Sequence, residues 1–415
     1  MVRRNHARVR SLSIVGLGLV LMLGGCKQAP EQAQGGDAGG SVKLGAVPEP
    51  VQDEASLGAR SSSQCAELGR TFAGLDALPE SFEPSEFTAR LGGSLDWVTQ
   101  SDLNLGRTSE GQAQDRALIE QVLAGMSAHD QAARQVDRWL VTTQLRVVAL
   151  LEMRRLLGEV ADDRLRGSEA VAAWDEAYCI WNAGLRPLAA RVDALQRPGA
   201  GQAWVSSIPA AFTEGRAQLG GAGEPADPTA VKAAKQQIEK GMYAVAYQLI
   251  LAQAESRSAI GATEALGLID ALEDRLADRN GPGLKRMRMM LNGPADQIDA
   301  KLIERELAVA FAKRARKYCD KAVVSAELAT PEAIAETWEG VIYTRVILGS
   351  MGEALGPVGF DAVAHGVDWE DYLEAVETGD AELAAEISVR LVEWNCAYQR
   401  HLGIAECASS TNEVE

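Results

Sequence analysis

The sequence predicts an all-α fold, a multi-helix bundle, and three observations lead to that prediction. Apolar residues recur every three or four positions through long segments, which is the period of a helix buried on one face. Alternating runs of β-branched residues, which are typical of strands, are scarce. Turn-forming residues gather between the periodic segments and indicate where helices end; these turns are QRPGAGQ, LGGAGEPADPT, DRNGPG and LGPVGFD.

Three long stretches carry the helical period. They cover residues 117–161, 228–260 and 302–328. Two helix starts are marked by a capping residue followed by proline. Proline fits the first turn of a helix because the backbone N–H that it lacks has no hydrogen-bond partner there. These starts are Asp227-Pro228 and Thr330-Pro331. The stretches between the turns therefore predict helices along most of the chain.

A short internal match suggests how the helices are grouped. The block AVAAWDEAYCIW resembles the later block AIAETWEGVIYT, and with one gap Trp174 aligns with Trp338 and Asp175 with Glu339. A repeated helical unit predicts two related halves, 61–220 and 221–408, within one all-helical domain spanning 61–408. A chance match of one short pattern is the alternative, and the sequence leaves both readings open.

The N-terminal segment is typical of an export signal. Residues 1–25 combine four arginines with an apolar run from Leu12 to Leu23, which is too short for a permanent membrane span. The run ends in Leu-Gly-Gly-Cys, which resembles the lipobox of bacterial lipoproteins. That resemblance implies cleavage before Cys26, lipid on Cys26, and a protein anchored to a membrane of the cell envelope and facing the periplasm or exterior. Residues 26–60 and 409–415 lack apolar clusters and are expected to form a disordered tether and tail.

Charge and cysteine content limit the remaining possibilities. The formal net charge of −17 argues against nucleic acid as a partner, because nucleic-acid binding requires basic patches. The chain has no CxxC pair, so a zinc ribbon is not expected. Besides Cys26 there are five cysteines, so we expect at most two disulfides, bridging distant parts of the helical halves, and one free thiol. These cysteines are Cys65, Cys179, Cys319, Cys396 and Cys407.

Carboxylates and tyrosines share a face on three predicted helices, because they stand three or four residues apart. Carboxylate and phenolate oxygens suit a hard cation, and tyrosinate favours ferric iron in particular. If these faces converge inside the bundle, they form an iron site. The candidate ligands are Asp175, Glu176, Glu239, Tyr243, Tyr247, Glu336, Glu339 and Tyr343.

An alternative explanation requires no metal. Tyrosines on helices commonly lie in the core with the hydroxyl bonded to a nearby carboxylate, and the acids could pair with Arg186, Lys240 or Arg345. The chain contains no HExxH or ExxH motif, no Walker loop and no nucleophile elbow, so we expect a protein that is not an enzyme.

Four blocks of the chain resemble the low-iron-inducible periplasmic protein family, which includes iron-assimilation proteins of algae and bacterial relatives. The blocks are WDEAYCIW, IEKGMYAVAYQLILAQAE, AETWEGVIYTRVIL and HLGIAEC, within about residues 110–408. The resemblance implies a helical, extracytoplasmic protein that takes part in iron uptake and works with an iron-uptake transporter. The alternative is a helical envelope scaffold or adaptor lipoprotein that binds no metal.

Overall fold

Helices make up most of the chain that the structure, a computed structural model, describes: residues 57–58, 62–109, 111–195, 203–220 and 227–408. The prediction of an all-α, multi-helix bundle is confirmed. The predicted signal peptide (1–25), Cys26, most of the tether (26–60) and the tail (409–415) lie outside the described residues.

The N-terminal part of the bundle begins with short helices and continues with one long one. A two-residue antiparallel hairpin, β1 (Thr108–Ser109) and β2 (Gln112–Ala113), is the only sheet in the described part. A π-helical turn, Trp181–Leu185, joins α6 directly to α7. The helices are α1 (Ser63–Asp76), α2 (Pro84–Leu91), α3 (Ser94–Asn104), α4 (Gln114–Met126), α5 (Gln131–Ala161), α6 (Gly167–Ile180), α7 (Arg186–Leu195) and α8 (Trp204–Ala217).

The C-terminal part contains longer helices joined by short turns, two of them 3-10 turns at Ala295–Gln297 and Gly356–Val358. The helices are α9 (Pro228–Ser256), α10 (Ala259–Ala271), α11 (Glu273–Leu291), α12 (Ala300–Tyr318), α13 (Lys321–Ser325), α14 (Pro331–Leu355), α15 (Ala362–Thr378) and α16 (Ala381–His401).

Helix boundaries follow the local chemistry. Asp227 and Thr330 cap α9 and α14 through side-chain bonds to backbone N–H groups, as predicted. The predicted break at DRNGPG is present within α11, because the backbone of Asn280 is non-helical and separates two helical segments across a kink. The Asn280 side-chain oxygen accepts from the Gly283 N–H and its amide donates to the carbonyl of Glu306, so one local and one tertiary hydrogen bond stabilise the kink.

Helix α9 is the centre of the bundle. Every residue from Ile238 to Leu251 is buried, so this helix is enclosed on all sides for almost four turns. It packs against α5, α7, α8, α10, α12 and α14, and its packing against α14 is the most extensive among the described helices. Since α9 and α10 pack on α5 and α8, the core runs across the boundary between the two predicted halves.

Glycine permits close contact between α14 and its neighbours. A Cβ atom on Gly340 would lie 2.5 Å from the Trp369 ring on α15 and 2.7 Å from the Cβ of Tyr318 on α12. No side chain fits there without movement of a backbone or a large ring. Gly340 therefore sets the distance at which α12 and α15 approach α14.

The five cysteines within the described residues form two disulfides and leave one buried thiol, Cys319, as the count predicted. Cys65 on α1 is bonded to Cys179 on α6, 114 residues along the chain. Cys396 is bonded to Cys407, only 11 residues away. The expectation of long-range bridges is thus correct for the first and wrong for the second, and neither joins 61–220 to 221–408.

The described helices include one bent pair whose combined length and composition fit a membrane span. No single one of them is long and apolar enough to cross a bilayer, while the bent pair Pro331–Val358 and Ala362–Thr378, at 119° to one another, meets the length and composition requirement jointly.

Candidate functional site

Helix α9 places a glutamate and a tyrosine next to each other in the centre of the bundle. Glu239 and Tyr243 are one helical turn apart and both are buried. The Tyr243 hydroxyl donates a hydrogen bond to the Glu239 carboxylate. Tyr247, one turn further, packs edge-on against Phe311 of α12, with the ring centroids 5.2 Å apart. The predicted face of α9 therefore exists, and its first two members interact directly.

Four cations surround the Glu239 carboxylate. The nearest atoms of Lys235 and Lys240 lie at 2.7 and 3.1 Å, and those of Arg154 on α5 and Arg275 on α11 both lie at 3.3 Å. Burial raises the pKa of Glu239, but the charges of these cations outweigh it and hold the pKa well below its usual range. Glu239 is therefore ionised and fully compensated within the protein.

A second carboxylate, Glu339 of α14, reaches the same place. The Lys240 Nζ lies 3.7 Å from Glu339 Oε2, so one ammonium contacts both carboxylates. Tyr318 of α12 donates its hydroxyl to Glu339 at 2.7 Å, and the Gln236 amide donates at 2.8 Å. Burial raises the pKa of Glu339, but the charge of Lys240 and the hydrogen bond from Tyr318 outweigh burial, so the pKa lies below that of an ordinary glutamate.

Three tyrosine rings line this polar centre. Tyr343 of α14 lies between Tyr318 and Tyr243, with stacked ring centroids 6.2 and 6.4 Å away. Lys240 Nζ lies over two of the rings, 5.1 Å from the Tyr243 centroid and 5.9 Å from that of Tyr343. We call Glu239, Glu339, Tyr243, Tyr318 and Tyr343, together with Lys240, the carboxylate–tyrosine cluster.

The phenols of the cluster are held in their neutral form. Burial, together with the nearby carboxylates, raises the pKa of Tyr243, Tyr318 and Tyr343 above the usual value. The Tyr343 hydroxyl is buried and has no hydrogen-bond partner within the described residues. A buried hydroxyl without a partner is uncommon, because desolvation is not offset. This oxygen is therefore available to a ligand that enters the cluster.

A cavity connects the cluster to the surface. Its volume is about 480 Å³, and Glu239 lies in its wall. Much of the remaining wall is charged, with Asp270, Glu273 and Asp274 on the acidic side. The basic residues in the wall are Arg107, Arg154, Arg155, Lys235 and Arg275. A small solute can therefore approach Glu239 from this side, past side chains of both signs.

Four of the predicted ligands lie outside the cluster: Tyr247, which packs on Phe311 as described above, and three acids. Asp175 is buried on α6 and forms an ion pair with Arg216 at 3.0 Å. Glu176 accepts hydrogen bonds from the backbone and side chain of Ser62. Convergence of these two acids with the cluster is not observed, because α6 packs on α5 and α8 whereas the cluster lies between α9, α12 and α14.

Glu336 also has its own partner. It forms an ion pair with Lys321 at the start of α13, although it stands three residues before Glu339 on the same helix. Asp175, Glu239 and Glu336 therefore do not meet in one pocket, so the condition that the three predicted faces converge is not met for these acids. Within the described part of the chain, no group of three or more His, Cys, Asp or Glu side chains is arranged to hold a metal ion.

Sequence reasoning missed two members of the cluster. The sequence suggests Lys240 only as a possible partner of an acid. A lysine inside the apolar run IEKGMYAVAYQLIL also indicates a buried ion pair, because an ammonium on an enclosed helix cannot reach water and needs a charged partner. Tyr318 lies in RARKYCDK, which carries no comparable signal.

Comparison with known proteins adds no family to these observations, since no family model, no curated protein and no solved structure matches the chain.

Proposed function

We propose that this protein is an extracytoplasmic iron-binding lipoprotein, anchored through lipid on Cys26, whose helical domain holds ferric iron in the carboxylate–tyrosine cluster. One observation carries the proposal: two carboxylates and three phenols from α9, α12 and α14 meet at one buried point that already attracts a cation. Hard oxygen donors of this kind are suited to ferric iron. The proposal describes a binding protein, and it assigns no catalytic reaction.

The biological setting of the proposal comes from the sequence. The lipobox supports attachment to a membrane of the cell envelope, and the resemblance to the low-iron-inducible periplasmic proteins supports a role in iron assimilation. In that role the protein captures iron at the envelope surface and passes it to an iron-uptake transporter. The cavity that reaches Glu239 supports this role, since bound iron must also be released.

The charges around the cluster set a condition on binding. Four cations contact Glu239, so a ferric ion added to the cluster without any other change would be repelled. The donor atoms fit iron, whereas the resident positive charges do not. Binding therefore requires that positive charge leaves the cluster as the metal enters.

Iron titration of the full-length protein tests the proposal. We expect one ferric ion to bind near neutral pH and to give a visible phenolate-to-iron absorption band. Replacement of Glu339 by Gln should weaken binding at least about tenfold, because a charged hard ligand is lost. Glu336→Gln on the same helix is the matched control and should bind as the wild type does. Absence of binding by the folded protein, or binding without a tyrosinate band, would contradict the proposal.

A second candidate is a helical envelope scaffold or adaptor that binds no metal. It is favoured by the fact that Asp175, Glu239 and Glu336 each have an ion-pair partner of their own, so the buried charges are balanced without a metal. In this case ferric iron should neither bind nor raise the melting temperature, whereas a ligand specific for the native state must raise it.

A further inference from the structure

A second cavity lies between α9, α12 and α14, near the end of α9 and away from the carboxylate–tyrosine cluster. Its volume is about 310 Å³, and its wall contains one carboxylate from each of the three helices: Glu255, Glu304 and Glu353. Among the described residues that line it there is no lysine, arginine or histidine. The cavity that reaches Glu239, in contrast, has charges of both signs in its wall. We call the second one the acidic cavity, since its charged side chains attract only cations.

A buried amide lines the acidic cavity as well. Only 9% of Gln248 on α9 is exposed, and its side chain forms no hydrogen bond to another described residue. Buried amides are normally hydrogen-bonded, because the contacts with water that they lose are otherwise not replaced. The amide oxygen of Gln248 can therefore accept a hydrogen bond from a molecule that enters the cavity.

The potential in this region is negative for further reasons. Glu255 and Glu353 lie in the last turns of α9 and α14, where the free carbonyl groups of a helix carry partial negative charge. The opposite partial charge at the start of α12 is offset by its capping residue, Asp299. Burial, with the negative charges of Glu304 and Glu353, raises the pKa of the nearby Tyr398 to about 12. A cation in the cavity is thus favoured by backbone and side chains together.

The arrangement of the acids does not suit a single metal ion. No three carboxylates within the described part of the chain are close enough together to share one. Apolar side chains also contribute to the wall, with Leu251 one turn before Glu255 on α9 and Val346 two turns before Glu353 on α14. Separated carboxylates with apolar surface beside them match a ligand in which ammonium groups alternate with methylene groups.

We propose that the acidic cavity binds a small linear polyamine with two or three ammonium groups. The ammonium groups pair with the carboxylates of Glu255, Glu304 and Glu353, and the Gln248 oxygen accepts a further hydrogen bond. The methylene segments lie against Leu251 and Val346. The volume is at the lower end of the range of about 300–1,000 Å³ that is usual for small-molecule sites, which fits a ligand of this size. The site is separate from the carboxylate–tyrosine cluster and does not depend on iron binding.

A neighbouring cavity limits the length of the amine. It shares Glu304, Ser350 and Glu353 with the acidic cavity, but its wall also contains Lys301 and Arg305. These positive side chains repel an ammonium group that extends past the shared wall. A tetraamine should therefore gain little affinity over a triamine, whereas attraction by the acidic surface as a whole would grow with every added charge.

Calorimetric titration of the full-length protein with spermidine, a linear triamine, in 0.15 M salt tests the proposal. We expect one molecule to bind per chain. Glu353→Gln should weaken binding about tenfold, because one charge-assisted hydrogen bond is lost. Glu332→Gln, at the opposite end of the same helix, is the matched control: it changes the net charge equally and should bind as the wild type does.

Two further measurements separate a built site from general charge attraction. Gln248→Leu leaves every charge in place and should weaken spermidine binding at least about threefold, because the amide oxygen is lost. Spermine, a linear tetraamine, should bind the wild type with an affinity close to that of spermidine.

Several results would overturn the proposal: no binding of spermidine, equal affinity in Glu353→Gln and Glu332→Gln, or spermine binding more than about tenfold more tightly. Displacement of spermidine by an equal concentration of Mg²⁺ would also overturn it, since the acids would then form a metal site. Should Glu353→Gln not fold, wild-type affinity in Gln248→Leu decides against the site. None of these results bears on iron binding by the carboxylate–tyrosine cluster, which is measured separately.

Discussion

Asp102 is a buried carboxyl group that titrates near neutral pH. It lies near the end of α3, and its Oδ2 accepts hydrogen bonds from the N–H groups of Asp115 and Arg116 in the first turn of α4. Burial, with the hydrogen bond and the negative charge of Asp115, raises its pKa to about 7. Arg107 lies 2.8 Å from Asp115 and 4.0 Å from Asp102. When Asp102 is protonated, only Asp115 carries a negative charge, and the single positive charge of Arg107 balances it.

This raised pKa makes the stability of the protein depend on pH. Between about pH 4 and pH 7 the folded state holds a proton on Asp102 that the unfolded state has released. The contribution of Asp102 is therefore fully present at low pH and is lost as the pH rises to 7, by up to about 1.4 kcal/mol per pH unit. Asp102→Asn keeps the acceptor for both N–H groups but cannot titrate, so its free energy of unfolding should lack this fall.

Urea denaturation at several pH values between 5 and 8 measures the effect as a difference between variant and wild type. Asp96→Asn, at an exposed position on the same helix, serves as the control and should follow the wild type. Parallel curves for Asp102→Asn and the wild type would show that Asp102 does not hold a proton in the folded state.

Contacts between site residues can be predicted from the sequence only where both residues lie on the same helix. The pairing of Glu239 with Tyr243 follows from four-residue spacing, because that distance is set by the helix itself. Tyr318 joins the cluster through the packing of α12 on α14, a contact between segments whose relation the sequence does not state. Asp175 shows the opposite case: its spacing from Tyr178 also predicts a shared carboxylate–tyrosine face, but its carboxylate forms an ion pair with Arg216, away from the cluster.

Helix α14 depends on the absence of a side chain at Gly340. Because a Cβ atom there would meet Trp369 and Tyr318 at 2.5 and 2.7 Å, Gly340→Ala should force α12 or α15 away from α14. We expect a loss of about 1–3 kcal/mol in the free energy of unfolding, larger than the helix-propensity gain of alanine. Gly352→Ala on the same helix is the matched control, since its nearest neighbour, the Ala362 Cβ, lies at 3.7 Å.

Gly352→Ala should stabilise the protein slightly, by up to about 1 kcal/mol, because alanine favours the helix more than glycine does. Urea denaturation of both variants gives the comparison. A Gly340→Ala variant as stable as Gly352→Ala would mean that the neighbouring helices can move to accommodate the added methyl group without loss of stability.

Whole elements were easier to predict from sequence than their boundaries. The periods in 117–161 and 228–260 correspond to real helices, but the first stretch is divided where Asp130 caps a new helix, α5. The turn signal DRNGPG corresponds to the kink at Asn280 within α11, where the Asn280 amide also donates to the carbonyl of Glu306 on α12. Local chemistry thus indicates where helices start and break, whereas their exact boundaries also depend on packing.

The proposed attachment of the whole molecule to a membrane depends on Cys26. Cys26→Ser should prevent lipid attachment and move the protein from the membrane fraction to the soluble fraction, because the serine hydroxyl cannot take the place of the thiol. Fractionation and mass spectrometry of the N-terminal peptide measure both effects. Gln32→Ser, in the predicted tether, is the control and should stay in the membrane fraction. A Cys26→Ser protein that still carries lipid would contradict the lipobox assignment.

The bond between Cys65 and Cys179 determines which parts of the chain carry mechanical load. Cys65 is the third residue of α1, and its partner, the partly buried Cys179, lies near the end of α6, where it packs against the core. A pull on the chain ahead of Cys65 passes through the sulfur atoms into α6, and the segment between the two cysteines, whose sequence separation is 114, is bypassed by the tension. If the protein is held by its N-terminus, α1 to α5 are shielded from drag on the tether, and the force is carried by the aromatic core around α6.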